Sequence, residues 1–400
     1  MVSATTSDDE SLEKTSSTDV ISGDEDLLTE ILLLLPVKPL IRFKSVSKRW
    51  LSLISHPHFS RRHACRNPTS FSGIFLRKTP GLVDTEFEFV SLDGNLSMAP
   101  FRSLNFVPDP AGIKILQSCN GLLCCCSSRR IGTTRNYYIY NPCTNQYLRL
   151  PPPNGGLCTT IFGITLAFDP SKSPYYSVVC VRSTASSIYC HQIEIYSSET
   201  GLWRLSGQPF TAPFDMVFDN GVFWNGAVHW ISPTGNSLYF NVDEERIGTM
   251  PALPFLEGWG KRRFRYFGES CGHLHLIEIY GSRTTQFKVF ELEKDYSRWF
   301  VKYHVDLDAI TAAFPEMIRL YLDPCDFNYY AFFVLFLIRE ENDEESSLVL
   351  HIPGKVICYK FKDKTFKKVY DLAPSRTDTK GSLLFGWLDA YQYTETLSCV

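Results

Sequence analysis

Leu27, Leu28, Ile31, Leu32 and Leu35 fall at helical spacing and predict one apolar face on a first helix, with Leu33 and Leu34 lying off it. Pro36 and Pro39 interrupt the ladder, so a second short helix carrying Leu40, Ile41 and Phe43 is expected to start near Val37 at an angle to the first. A third follows. Val46, Trp50, Leu53 and Ile54 recur on one side and Lys48, Arg49 and Ser52 on the other, with Ser45 or Ser47 as cap and His56-Pro57 as the stop. Residues 24–62 therefore hold more apolar surface than so short a segment can hide within itself. A domain of about 40 residues is marginal without a disulfide, a metal or a second chain. The surplus points to a protein partner.

Beyond residue 70 the period changes from helical to alternating. Short runs rich in Val, Ile, Phe, Tyr and Trp are separated by Asn-Pro, Asp-Gly, Thr-Gly and Lys-Asp-Lys turn signals, an all-β pattern. One unit recurs: an apolar strand, a tight polar turn, and a second strand that often ends in Trp or Leu-Pro. Its clearest copy is Tyr137 to Pro151; others run from Phe87 to Leu96, Gln192 to Arg204, Leu238 to Ile247, Phe287 to Trp299 and Val356 to Phe366. They repeat at intervals of roughly 44 to 69 residues, the range of propeller blades with loop insertions. Further strands open with glycine at Asn120-Gly121, Asn220-Gly221, Gly226 and Cys271-Gly272. Six units of about four strands would close into a ring that leaves only short edges, with Leu383 to Leu388 expected to pair with Phe71 to Leu76 as the seal. The fold class expected is α+β as separate domains, a small three-helix head followed by an all-β propeller-like repeat domain; a two-sheet β-sandwich is the alternative. The divisions expected are a disordered leader over residues 1–20, rich in Ser, Thr, Asp and Glu, the helical head over 21–63, and the β domain over 70–400.

A net charge of −3 recommends neither nucleic acid nor an acidic membrane surface as partner. The longest apolar stretch, Tyr329 to Ile338, is about half of what a membrane-spanning helix needs and fits a buried strand. Thirteen cysteines without a Cys-x-x-Cys pair support neither a disulfide framework nor structural zinc. Cys124, Cys125 and Cys126 alternate sides of a strand and cannot easily converge on one ion. They read as reduced small hydrophobes of a cytoplasmic or nuclear protein.

Signals for chemistry are weak. His273-x-His275 puts two imidazoles on one strand face, but no third ligand is near in sequence, and partly exposed strand histidines are the expected reading. His229 beside Trp230 has no nucleophile turn to serve and reads as a satisfied blade histidine. Lys261-Arg262-Arg263-Phe264-Arg265-Tyr266 interleaves cations with aromatics, as a nucleic-acid groove or an acidic-peptide site would, yet a solvated loop is the simpler reading. Glu340 to Glu345 reads as a solvated loop, and Gly155-Gly156 follows three prolines and cradles no phosphate. No cofactor and no catalytic residue is expected.

The Leu-Leu-x-Glu-Ile-Leu run, Leu35-Pro36-Val37-Lys38, and Val46-Ser47-Lys48-Arg49-Trp50 with Leu53-Ile54 and Phe59 resemble an F-box. The family usually opens with Leu-Pro two residues before the acidic position, where this chain has Gly23 and Asp24; Ser22-x-x-Glu25 could instead form a capping box. The β half resembles the F-box-associated and Kelch-like interaction domains of plant proteins through Ser118-Cys-Asn-Gly-Leu-Leu123, Tyr140-Asn-Pro, Phe168-Asp-Pro170, Asn225-Gly-Ala-Val-His-Trp230 and Tyr391 to Leu397. The resemblance implies a non-catalytic substrate receptor of a Skp-cullin-F-box ubiquitin ligase. It would hold a Skp-type adaptor, and through it a cullin, by Leu27, Leu28, Ile31, Leu32, Leu35, Pro36, Leu40, Val46 and Trp50, and an unnamed target protein by the β domain. A non-ligase interaction scaffold is the second expectation, and an enzyme on a propeller scaffold, marked by paired carboxylates in the central mouth, the third.

Overall fold

The computed structural model describes residues 25–67, 71–78, 86–92, 100–101, 103–109, 112–127, 135–153, 160–185, 187–233, 236–252, 262–280, 284–372, 383 and 385–400. The expected leader, Ser22, Gly23, Asp24 and Gly155-Gly156 lie outside them.

The head begins with α1 (Glu25–Leu32), whose end is fixed by Pro36, and continues with α2 (Val37–Phe43) and α3 (Lys48–Ile54). Ser47 is the cap of α3, its side chain accepting the Trp50 N–H at 3.2 Å, whereas the Ser45 hydroxyl donates back to the Arg42 carbonyl. His56-Pro57 stops α3 as expected, but the same proline opens a fourth helix, α4 (Pro57–Arg66), because the first helical position needs no N–H. The single apolar face expected on α1 is split in two. Leu28, Leu32 and Leu33 turn inward with Val37, Leu40, Ile54 and Phe59, while Leu27, Ile31 and Leu34 turn out. The reason is geometric: α1 has neighbours on one side only, and the i, i+4, i+5 stripe faces them.

Six sheets follow. Five blades are four-stranded meanders: β3 (Ile113–Cys119) to β6 (Gln146–Arg149), β7 (Ile161–Ala167) to β10 (Leu202–Phe210), β11 (Val222–Trp224) to β14 (Arg246–Thr249), β15 (Arg262–Ser270) to β18 (Trp299–Asp306), and β19 (Phe333–Ile338) to β22 (Phe366–Asp371). Within them β4 spans Leu122–Ser127, β5 Tyr137–Asn141, β8 Ser177–Ser183, β9 His191–Ser197, β12 Ala227–Trp230, β16 His273–Tyr280 and β17 Gln286–Leu292. The sixth sheet has three strands, β2 (Phe87–Ser91), β1 (Phe71–Arg77) and β23 (Ala390–Thr394), and so joins the two ends of the β domain. The propeller replaces the sandwich alternative. The sealing strand is Ala390–Thr394 rather than 383–388, and β2 pairs back onto β1 instead of opening a hairpin of its own.

Turn chemistry repeats with the blades. Asn120-Gly121, Asn225-Gly226 and Cys271-Gly272 all have both residues at positive φ, the two-residue hairpin geometry that matches strand twist, and each joins the first two strands of a blade. Blades are also stitched to their predecessors. The Trp203 indole N–H on β10 donates to the Pro151 carbonyl at 2.7 Å, and Trp299 on β18 donates to Pro251 at 3.0 Å. This is what the recurring Trp and Leu-Pro ends do. Where β7 passes the 3-10 turn Phe218–Asn220, only glycine fits: a Cβ on Gly163 would stand 2.2 Å from the Phe218 carbonyl oxygen.

Cys124 and Cys126 enter one core cluster and Cys125 another, as strand alternation requires, and all twelve described cysteines are free. Burial holds the Cys124, Cys125 and Cys126 thiols protonated, the Cys126 thiol being pushed up to about 11. Residues from Arg262 onward are strand, not the solvated loop expected of Lys261 to Tyr266; Tyr266 is buried, and the other side chains of that run lie outside the described residues. Among the described residues, no helix is long and apolar enough to cross a membrane.

Candidate functional site

An antiparallel blade places its first-to-second and third-to-fourth strand turns at one end of the ring, and the links between blades at the other. The helical head sits at the turn end. Arg61 Nε donates to the Ser171 carbonyl at 3.3 Å in the β7–β8 connection, and Cys143, in the β5–β6 turn, packs against the head core. The chain leaving β23 runs between the two parts. Lys38 Nζ meets Glu395 Oε1 at 2.6 Å, the Cys399 thiol donates to the Ser55 carbonyl, and Leu397 is buried among the head leucines. Asn141 anchors that tail from below: its amide donates to the Thr396 and Ser398 carbonyls at 3.2 and 2.7 Å while its oxygen accepts the Cys143 and Thr144 N–H groups. Part of the apolar surplus of the head is thus covered by its own C-terminal segment.

What remains uncovered is specific. Leu27 (41% exposed), Ile31 (39%), Leu34 (62%), Val46 (59%) and Leu51 (47%) present large apolar side chains to solvent. Leu27, Ile31 and Leu34 follow one another at i, i+4 and i+7, and an ion pair from Arg49 to Glu25 at 4.0 Å brings the start of α3 beside the start of α1. Of the nine candidate adaptor contacts, Leu27, Ile31, Pro36 and Val46 are exposed and Leu35 and Trp50 are half-buried, Trp50 standing edge-on to Phe43 at 5.4 Å. Leu28, Leu32 and Leu40 are inside the head core and offer no free surface, a correction to the sequence reading. Leu34 and Leu51, absent from the sequence-derived set, are exposed on the same head, and Leu34 continues the Leu27–Ile31 stripe by three residues. Beneath this surface α4 is clamped to α1 by Arg66 Nη1 on Glu30 Oε2 at 2.6 Å and by the His63 ring, whose Nε2 donates to the Leu35 carbonyl at 2.8 Å. Burial lowers the His63 pKa, so this bond is made by a neutral ring.

The β domain has no comparable reactive constellation among its described residues, and no group of three or more His, Cys, Asp or Glu side chains is placed there to hold a metal ion. His229 is fully buried, its ring nitrogens engaged by the Val222 carbonyl and the Tyr296 hydroxyl, the satisfied blade histidine expected. His275 differs from expectation: it is fully buried rather than partly exposed, 3.4 Å from Glu291 Oε2 without a directed hydrogen bond, while His273 Nδ1 reaches Glu291 Oε1 at 2.7 Å. The cross-strand register His275↔Glu291 creates this group, which sequence spacing alone does not reveal. Arg339 lies within 3.9 Å of the same carboxylate, a cation where a metal site would need a ligand. Glu340 to Glu345 form an exposed connection, as expected, pinned by Lys302 on Asp343 and by Lys362 on Glu344.

Comparison with known proteins agrees with this division. Residues 24–62 match the F-box domain family, and residues 91–329 match the family described as F-box protein At3g26010-like, beta-propeller. The chain is 38% identical to F-box protein At5g07610 of Arabidopsis thaliana, over 96% of this chain and 94% of that one. It is 27% identical to F-box protein At5g49610 of the same plant, over 93% and 96%. F-box/kelch-repeat protein At3g17530, also from Arabidopsis thaliana, is 26% identical over 58% of this chain and 60% of its own length. A helical head with an outward apolar patch, a six-bladed ring and matches along nearly the whole chain make it a member of the plant F-box proteins that carry a C-terminal β-propeller.

Proposed function

We propose that this chain is the substrate-recognition subunit of a Skp-cullin-F-box ubiquitin ligase, docking a Skp-type adaptor on the head and a target protein on the propeller. The observation that carries the reading is the outward set Leu27, Ile31, Leu34, Val46 and Leu51, left uncovered on a head whose other apolar side chains are already packed. Covering such side chains contributes about 1.5–3 kcal/mol each when complete, enough in combination to offset the cost of association. The chain itself breaks and forms no bond in this reading. It raises the local concentration of target lysines beside a charged conjugating enzyme, to the millimolar range for a short tether. The seam built by Leu397 and Asn141 supports this role, because a target held on the ring keeps a fixed position relative to the adaptor.

The test is co-purification of the full chain with a plant Skp-type adaptor and cullin. Ile31→Asp and Leu34→Asp, both at exposed positions, are expected to abolish adaptor binding while leaving the thermal transition of the chain in place; unchanged binding would refute the surface. The Gly23-Asp24 opening in place of Leu-Pro favours the second reading, a scaffold outside any ligase. Adaptor and cullin both failing to co-purify with the unaltered chain would select it.

A further inference from the structure

The longest described link between blades joins β18 to β19 and is built differently from the others. Residues 307–332 begin with α5 (Asp308–Ala313) and a 3-10 turn, Pro315–Met317, whose inner residues Leu307, Ile310, Met317, Ala331 and Phe332 are buried in the ring's core. From that base the chain rises as a closed excursion. Ile318 bridges Tyr330, Arg319 N–H donates to the Tyr329 carbonyl at 2.8 Å, and the Arg319 guanidinium donates to the Asn328 carbonyl at 2.9 Å. Asp323 and Asp326 each accept a backbone N–H two residues on and fix the tip. At that tip Leu320 is 84% exposed and Tyr321 73%.

Two large apolar side chains held in water by a hydrogen-bonded frame are not a packing remnant; long ordered loops of this kind are mostly functional, and the frame lowers the ordering cost of binding. The link carries four carboxylates, Asp308, Glu316, Asp323 and Asp326, against the single Arg319. At the base Glu316 is paired with Lys355, and Asp308 accepts from the Thr285 hydroxyl and the Gln286 amide, whereas Asp323 and Asp326 in the excursion form no ion pair among the described residues. As a link between blades it also projects from the end of the ring opposite the helical head. We propose that the Leu320–Tyr321 tip is a docking surface for a target segment in which an apolar side chain is flanked by lysine or arginine, an assignment that rests on the receptor reading above. The apolar side chain packs on Leu320 and Tyr321, and the flanking cations face Asp323 and Asp326.

The probe is a displayed library of unstructured peptides selected against the full chain. Enrichment of peptides with Leu, Phe or Trp beside Lys or Arg is expected. Their binding should fall by about tenfold or more with Leu320→Ser/Tyr321→Ser, and with Asp323→Asn/Asp326→Asn, in which the turn-capping oxygens persist; added salt should weaken it too. Selection of acidic peptides, or binding indifferent to both variants, would overturn the proposal. Adaptor co-purification on the same variants separates the two claims. Retained adaptor binding with no peptide dependence on the tip refutes this surface alone. A tip that selects basic-apolar peptides on a chain that never binds an adaptor keeps the surface and refutes the ligase role.

Discussion

Replacing Leu397 by alanine should release the helical head from the ring without opening the ring. Leu397 is 3% exposed and packs with Leu28, Leu32, Leu33, Val37, Leu40, Ile54 and Phe59, none of which belongs to a blade. Truncating a leucine so enclosed costs about 2–5 kcal/mol, through lost transfer energy and the cavity left behind. A loss near 3 kcal/mol multiplies the opening equilibrium of the head by roughly a hundredfold. Native-state hydrogen exchange read by mass spectrometry checks this directly. Peptides covering α1 to α3 should lose protection by that factor, while those from β4, β8 and β12 keep theirs. Asn141→Ala acts on the same seam from the blade side, removing the two bonds to the Thr396 and Ser398 carbonyls, and should give the same pattern. Protection lost equally in head and blades, or retained in the head, would refute the idea that the C-terminal segment is the mortar between them.

Two further outcomes test the electrostatics inside the blades. Burial lowers the His229 pKa from 6.5 to about 4, so the folded state favours the neutral ring; this stabilisation is complete above pH 6.5 and is lost as pH falls from there toward 4. The loss reaches about 2 kcal/mol by pH 5, and urea unfolding at pH 7.5 and 5 should show that part of the slope vanish in His229→Phe; an unchanged slope refutes it. In the β7–β10 blade Arg182 Nη2 lies 2.6 Å from Glu194 Oε1 with both side chains nearly enclosed. Arg182→Met removes the guanidinium from a buried carboxylate and should cost about 3–5 kcal/mol in chemical denaturation, with Glu194→Leu added to it recovering much of the loss; a near-neutral single variant would refute a strong contribution from the pair.

Much of this architecture could be read in advance because it rests on local chemistry. Asn-Gly pairs, the Trp and Leu-Pro strand ends and the switch from helical to alternating period each have a short-range cause, and so the blades stand where those signals put them. The head was legible for the same reason, through Ser47, Pro36 and Pro57. Long-range pairings were not. That Glu291 lies across from His275, or that Leu397 joins a core built from residues 28–59, depends on register and docking that no window of sequence carries. The partition of α1 into Leu28 and Leu32 inside and Leu27 and Ile31 outside depends likewise on which side its neighbours occupy.

The sheet that closes the ring contains the first strand of the β domain. One edge of β1 pairs with β2, but its other edge is filled only by Ala390–Thr394, which follows all five four-stranded blades in the chain and brings Leu397 to the head with it. A chain that stops short of that clasp exposes an unpaired edge along Phe71–Arg77 and carries a head without its Leu397 contact. Closure of the ring and the Leu397 part of the head's seat therefore depend on one short stretch of chain.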